Sequence, residues 1–133
     1  MNLDYLAGFF DGEGSFIVRF VPDKRYRNGF QIHVTINITQ KNFEILKTIK
    51  NALKMGYISY HKRDNLWHYN IYKKQDVFQF LELIKGRVVV KREQLLRFEH
   101  CIKMVCNKEH LNAEGLKKIQ MMWSVPKTAR NTR

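Results

Sequence analysis

The sequence predicts an α+β fold of order αββαββα, extended by two further helices, with the helices on one face of an antiparallel sheet. Three observations lead there. Residues 30–39 alternate, with Ile32, Val34, Ile36 and Ile38 on one side and Gln31, His33, Thr35, Asn37 and Thr39 on the other, the mark of a half-buried strand. Strand-like stretches come in pairs joined by polar turns, and apolar residues at helical spacing fill the segments around them. A chain of 133 residues fits one domain with one sizeable core, and no internal repeat or linker divides it. Residues 1–125 are expected to form that domain and residues 126–133 a short basic tail.

Leu3, Leu6, Phe9 and Phe10 give the first helix its apolar positions, and Gly12 and Gly14 end it. Residues 15–21 read as a strand, followed by the polar turn 22–29 and the alternating strand 30–39. Phe43, Leu46, Ile49 and Leu53 mark a helix over 42–55 that Gly56 stops. A second hairpin pairs 57–61 with 66–73 through the turn 62–65. Val77, Phe80, Leu81 and Ile84 form the stripe of a third helix ending at Gly86. Residues 92–105 and 113–123 are the last two helices, with Asn112 as N-cap of the second and Pro126 beyond its end.

Lys and Arg number 24 against 12 acids, a formal charge of +12, so a polyanionic partner is expected; an anionic membrane surface is the weaker alternative. No stretch approaches the roughly 18 apolar residues of a membrane span, and no basic segment precedes an apolar run at the N-terminus. A soluble, intracellular protein is therefore expected, of cytoplasm, nucleoid or organelle. Cys101 and Cys106 are awkwardly spaced for a local disulfide and read as reduced. With His100 and His110 they match no standard zinc spacing, and all four are taken as core or surface residues.

The sheet segments are strongly basic: Arg19, Lys24, Arg25, Arg27 and Lys41 against Asp23 in the first hairpin, and Lys54, Lys62, Arg63, Lys73 and Lys74 against Asp64 in the second. The face away from the helices would present Arg19, Gln31, His33, Thr35, Asn37, Ser59, His61, His68, Asn70 and Tyr72. Amides, imidazoles and hydroxyls without a carboxylate are the groups that pair with base edges in a major groove, which a two-stranded ribbon fits. Tyr72 is the one clear exposed aromatic of that row, whereas sequence-specific RNA readers rely on several. Double-stranded DNA is thus the expected partner, with Arg63 in the hairpin turn beside the reading row, and intron RNA the weaker one.

Residues 6–14 read Leu-Ala-Gly-Phe-Phe-Asp-Gly-Glu-Gly. Gly8 and Gly12, four apart, make one smooth helix face on which a second helix could approach almost backbone to backbone. Asp11 and Glu13 lie at the end of that helix, where partial negative charge makes acids unwelcome. Two such helices meeting would gather carboxylates near one axis, and a divalent cation is the simplest relief. An ordinary amphipathic helix stopped by glycines is the bland alternative.

This nonapeptide, with the Ser15-Phe16 that follows, resembles the signature of the LAGLIDADG homing endonucleases, and of their single-motif, homodimeric type because no second copy occurs. Ile38-Thr39-Gln40-Lys41 is similar to the end of the family's second strand, whose glutamine reaches the active site, and Val90-Lys91-Arg92-Glu93-Gln94 to the segment that holds its lysine. Residues 110–116 resemble the start of the family's C-terminal helix. The resemblance implies an intron-encoded, Mg²⁺-dependent DNA endonuclease, with Mn²⁺ able to substitute, cutting a long pseudo-palindromic site. It implies catalytic roles for Glu13, Gln40 and Lys91, and a metal held by Glu13. The backbone carbonyl of Gly12 and the Asp11 carboxylate are further candidate ligands, Asp11 serving alternatively to cap or orient the helix. Leu6, Gly8, Phe9 and Gly12 would form the dimer interface. Glu13 stands where the familiar motif has aspartate, a methylene that alters metal geometry and not ligand type. A strand of about eight residues covers about eight base pairs, so two subunits imply a target on the order of 20 base pairs. A cleavage-deficient relative acting as RNA maturase or DNA-binding regulator, and a small basic ribosome-associated protein, are the competing classes.

Overall fold

The computed structural model describes residues 1–123, and the expected basic tail lies outside them. Its elements are α1 (Leu3–Glu13), β1 (Gly14–Pro22), β2 (Phe30–Gln40), α2 (Phe43–Leu53), β3 (Tyr57–His61), β4 (Leu66–Ile71), α3 (Lys74–Ile84), α4 (Arg92–Cys106) and α5 (Ala113–Trp123). The expected order and fold class hold, and most boundaries fall within two residues of the expected ones. A 3₁₀ turn, Glu109–Leu111, precedes α5. Its Leu111 carbonyl accepts from the Asn28 amide at 2.7 Å, tying the first hairpin turn to the C-terminal helices.

All strands are antiparallel in the order β1-β2-β4-β3. Alternation then fixes two faces. Phe16, Val18, Ile32, Val34, Ile36, Ile38, Tyr69 and Ile71 point toward the helices and are buried. Helix residues Leu6, Ala7, Phe10, Leu46, Ile49, Phe80, Leu81, Phe98 and Ile102 close over them. Aromatic rings link these layers: Phe10 lies 4.9 Å from Phe16 and 5.4 Å from Phe80, and Phe16 lies 4.8 Å from Phe98, centroid to centroid.

The passage from α1 to β1 is abrupt for a steric reason. A Cβ on Gly14 would sit 2.2 Å from the Phe10 ring, so only glycine lets the chain leave the helix over its own core residue. Asn42 caps α2 by accepting from the Ile45 N–H at 3.1 Å. That helix ends at Lys54 in the left-handed region, two residues before the Gly56 anticipated as its stop. Cys101 is buried, which pushes its thiol up to about 11, and Cys106 is exposed. No helix among the described residues is long and apolar enough to cross a membrane.

Candidate active site and nucleic-acid interface

The end of α1 is joined to the start of α4 by a reciprocal exchange. Asp11 accepts from three successive backbone N–H groups, Oδ2 from Val89 at 2.7 Å and Val90 at 3.1 Å, and Oδ1 from Lys91 at 2.9 Å. Lys91 is the N-cap of α4 and its own side chain caps nothing; the anion that this positive helix end favours arrives from Asp11 instead. In return the Lys91 ammonium donates to the Asp11 carbonyl, placing a cation on the negative end of α1. Partial burial of Asp11 works to raise its pKa, but the three N–H donors and the ammonium outweigh it and hold the carboxyl below 3.8. Asp11 thus caps the loop that leads into α4, the alternative part expected for it beside that of a metal ligand.

Glu13, two residues further along α1, is exposed, and among the described residues its carboxylate has no hydrogen bond or ion pair. Gly12 is exposed beside it. Gln40 ends β2; since Gly14 pairs with Ile38, β2 overruns the start of β1 by two residues, and Gln40 lies at the α1–β1 junction. The backbone thus brings Glu13, the last carbonyls of α1 and Gln40 to the α1–β1 junction, and the Lys91 ammonium reaches the end of the same helix. Two carboxylate oxygens next to carbonyl oxygens form a hard, anionic donor set that suits Mg²⁺.

Along α1, ideal Cβ atoms on Gly8 and Gly12 would meet no atom within 4 Å. The glycine face is open, flanked by Tyr5 at 52 % exposure, whose ring lies stacked on half-buried Phe9 at 6.1 Å. Val89 and Val90, 71 % and 80 % exposed, project from the loop that Asp11 holds. Leu6 does not belong to this surface. It is wholly buried in the chain's own core with Ala7 and Phe10, so its expected place in a dimer interface is corrected. Spacing alone did not separate the two sides of the helix, whereas the sheet beneath it does.

On the sheet's outer face, the register sets Arg19 opposite His33 and Asn37 opposite Asn70, and the expected polar row does share one surface. Its two halves differ. Arg19, Gln31, His33 and Thr35 make no side-chain hydrogen bond within the described residues. Asn37, expected to face solvent, is instead only 8 % exposed and works as a node. Its Nδ2 lies 2.8 Å from Asn70 Oδ1 and 3.3 Å from His68 Nδ1, and its Oδ1 accepts from Thr39 Oγ1 at 2.9 Å. With its amide donors and its oxygen engaged inside the sheet, Asn37 holds Thr39, His68 and Asn70 in one network rather than facing solvent.

The face is also not free of carboxylates. Asp64, from the turn before β4, folds back so that Oδ2 lies 3.2 Å from His68 Nε2. Desolvation works to raise the Asp64 pKa, but the hydrogen bonds of His68 and of the Leu66 N–H prevail and hold it below 3.8. Ser59 Oγ lies 3.2 Å from His61 Nε2. Arg63 is exposed in the same turn, and Tyr72 is exposed just past β4. Sequence reasoning missed Tyr57, which pairs with Asn70, lies on this face and sits edge-on to Tyr72 at 5.8 Å. The alternation Tyr57, Ser59, His61 carried that signal.

Comparison with known proteins follows the same geometry. Residues 6–105 match the family described as LAGLIDADG endonuclease. The chain is 28 % identical over 92 residues to the DNA endonuclease I-CreI of Chlamydomonas reinhardtii, covering 68 % of this chain and 55 % of that one. It is 25 % identical to a probable intron-encoded endonuclease 2 of Neurospora crassa over 99 % of this chain and 32 % of the relative, so it spans only about a third of that protein. Another relative, an uncharacterised intron protein of Podospora anserina, is spanned over 25 % of its length. Among solved structures, the archaeal intron-encoded homing endonuclease I-Vdi141I complexed with DNA superposes with a TM-score of 0.83 at 28 % identity, covering 90 % of this chain and 78 % of that one. The homing endonuclease I-TnaI shares the fold with a TM-score of 0.87 at 23 % identity, covering 98 % and 92 %.

Proposed function

The chain belongs to the LAGLIDADG endonuclease family, and from that premise we propose that it is a site-specific, Mg²⁺-dependent double-stranded DNA endonuclease working as a homodimer. The observation that carries this reading is the corner at the end of α1, where an unpartnered Glu13 carboxylate stands beside Lys91 and an open glycine face. Pairing two copies across Gly8 and Gly12 would bring both corners to one axis, with the two basic sheets side by side. The net charge of +12 supports a polyanion as the partner of that surface.

In this reading Glu13 and the adjoining Gly12 carbonyl hold the cation. Bound there, a hard divalent ion supplies Lewis-acid polarisation of the scissile phosphate and activation of water. Gln40, at the junction of α1 and β1, orients the attacking water by hydrogen bonding. Lys91 is fixed by its bond to the Asp11 carbonyl, so its charge is already in place to offset negative charge that builds on the phosphate in the transition state. On the sheet, Arg19, Gln31, His33 and Thr35 offer open donors and acceptors to base edges, while the β3–β4 half presents a network set in advance. The exposed Arg63 and Tyr72 extend the contact at its margins.

The test is cleavage selection on randomised duplex DNA with Mg²⁺, run beside Glu13→Gln. The exposed side chain keeps its volume and loses its charge, so folding and DNA binding should persist while cutting disappears. Wild-type rates from Glu13→Gln would remove the catalytic assignment. Tight binding with no cutting by the wild type would favour the regulator or maturase reading instead.

A further inference from the structure

We propose that the tip of the β3–β4 hairpin is a binding site for a zinc-class divalent cation, held by His61, Asp64 and His68. These residues lie outside the corner proposed for catalysis and belong to one short segment. One ligating atom from each lies within 4.8 Å of the other two. His61 ends β3 and His68 sits diagonally across on β4, with the two imidazole rings stacked at 3.7 Å between centroids and 17° between planes. Asp64 is already bent back over the pair by the Leu66 N–H, which donates to its Oδ1 at 3.1 Å. Closing the three around one ion requires a rotation of the exposed His61 ring, which exchanges its 3.2 Å contact with Ser59 Oγ and its stacking on His68 for the ion.

The neighbourhood supplies the outer support such a site needs. His68 Nδ1 faces the Asn37 amide at 3.3 Å, and Asn37 in turn faces Asn70. Turning both amides over makes Asn37 Oδ1 the acceptor for a proton on Nδ1, with Thr39 Oγ1 then accepting from the Asn37 amide. That tautomer leaves His68 Nε2 unprotonated and directed at Asp64, as a metal-bound histidine requires. Two imidazole nitrogens and one carboxylate select zinc and its transition-metal neighbours over Mg²⁺, which demands oxygen donors. The fourth position stays open to water. Lys62 and Arg63 in the same turn oppose a cation, but both are exposed and their long stems carry the charges outward. On the DNA-binding reading, occupancy would offset the Asp64 carboxylate and make the hairpin tip cationic.

The experiment titrates the full-length chain with Co²⁺, read by its visible absorption, and then displaces it with Zn²⁺, in buffer holding excess Mg²⁺ throughout. One ion per chain is expected, with His61→Ala and Asp64→Asn each weakening Zn²⁺ at least tenfold and Glu13→Gln leaving it unchanged. Nitrogen NMR of the wild type should show the His68 proton moving to Nδ1 as Zn²⁺ is added. Absence of Zn²⁺ binding in excess Mg²⁺, or binding that both hairpin variants leave intact, overturns the proposal. Binding lost only in Glu13→Gln also overturns it and assigns the ion to the catalytic corner. His61 and Asp64 are exposed and outside the core, so a folding defect does not stand between either variant and the result.

Discussion

Replacing Asp11 with Asn tests whether this residue holds the Lys91 loop or holds metal. The carboxylate receives three backbone N–H groups, at 2.7, 3.1 and 2.9 Å, on two oxygens. Asparagine keeps one acceptor oxygen and turns an NH₂ donor toward at least one of those N–H groups. Hydrogen bonds to a charged partner contribute about 1.5–3 kcal/mol each, and an orphaned N–H costs a similar amount where water cannot replace the lost acceptor. Because the cap is partly open to solvent, the lower half of that range is expected, roughly a tenfold to fortyfold rise in loop opening at about 1.4 kcal/mol per decade. Amide hydrogen exchange at Val89, Val90 and Lys91 should accelerate by that factor while core amides of β2 stay protected. Cleavage should slow, because Lys91 is released from the end of α1, with the Mg²⁺ concentration for half-maximal rate unchanged. A shifted Mg²⁺ requirement with unaltered exchange at these three amides would refute the capping role and restore Asp11 as a ligand.

Three further outcomes follow from the same geometry. A Cβ at Gly12 has open space around it, so the Gly12→Leu monomer should fold with stability unchanged or raised by up to about 1 kcal/mol, yet sediment as a monomer and fail to cut; a fully active dimer would show that subunits meet elsewhere. Gln31→Ala should relax base preference at one or two positions per half-site, at about 1–3 kcal/mol on the favoured target. Asn37→Ala strips partners from Thr39, His68 and Asn70 together, so binding selections should show preference blurred over several neighbouring positions; a loss confined to one base pair would make Asn37 a direct reader after all. As for pH, the Asp11 carboxyl is depressed in the folded chain, so its contribution is complete above the ordinary value of 3.8 and fades as pH falls through the lower folded value. Protection factors at residues 89–91, corrected for the intrinsic pH dependence of amide exchange, should therefore hold level on acidification to about pH 4 and fall below it, whereas Asp11→Asn shows no such step.

The strands and their grouping into two hairpins were readable because local alternation is a short-range signal, whereas the pairing of β2 with β4 that joins the hairpins was not. Five apolar and polar pairs in 30–39 leave one way to bury β2, and two polar turns force its neighbours to be hairpins. What escaped notice depends on residues far apart in the chain. Asp11 and the amides it caps are separated by 78 to 80 positions, and no pattern near either end announces the contact. Asn37 has the spacing of an outward reader, yet Asn70 across the sheet and His68 diagonal to it enclose its amide. Asp64 belongs to a turn by sequence and to the sheet face by geometry, because a hairpin tip can fold a short side chain back over its own strands. Tyr57 was the exception, legible from spacing and overlooked.

The motif helix shows why one nonapeptide can carry so much. Leu6, Ala7 and Phe10 occupy the side of α1 that meets the sheet and fix its position, leaving Gly8 and Gly12 on a side where nothing of the same chain approaches. Glycine on an exposed helix face is costly by about 1 kcal/mol relative to alanine, so two of them, four apart, lower the stability of the isolated chain. That loss is recovered only if something uses the space, and the flanking Tyr5 and Val90 give the surface an apolar rim suited to a second copy. The acids at the helix end are likewise unfavourable to the isolated helix. Asp11 is compensated by the N–H groups of residues 89–91 that lead into α4, and the helix terminus itself by Lys91, but Glu13 has no compensation among the described residues. On the proposed dimeric, metal-dependent reading, the costs left on the open side of this helix and on its last residue are offset by a second copy and a cation, while its core side is satisfied within the chain.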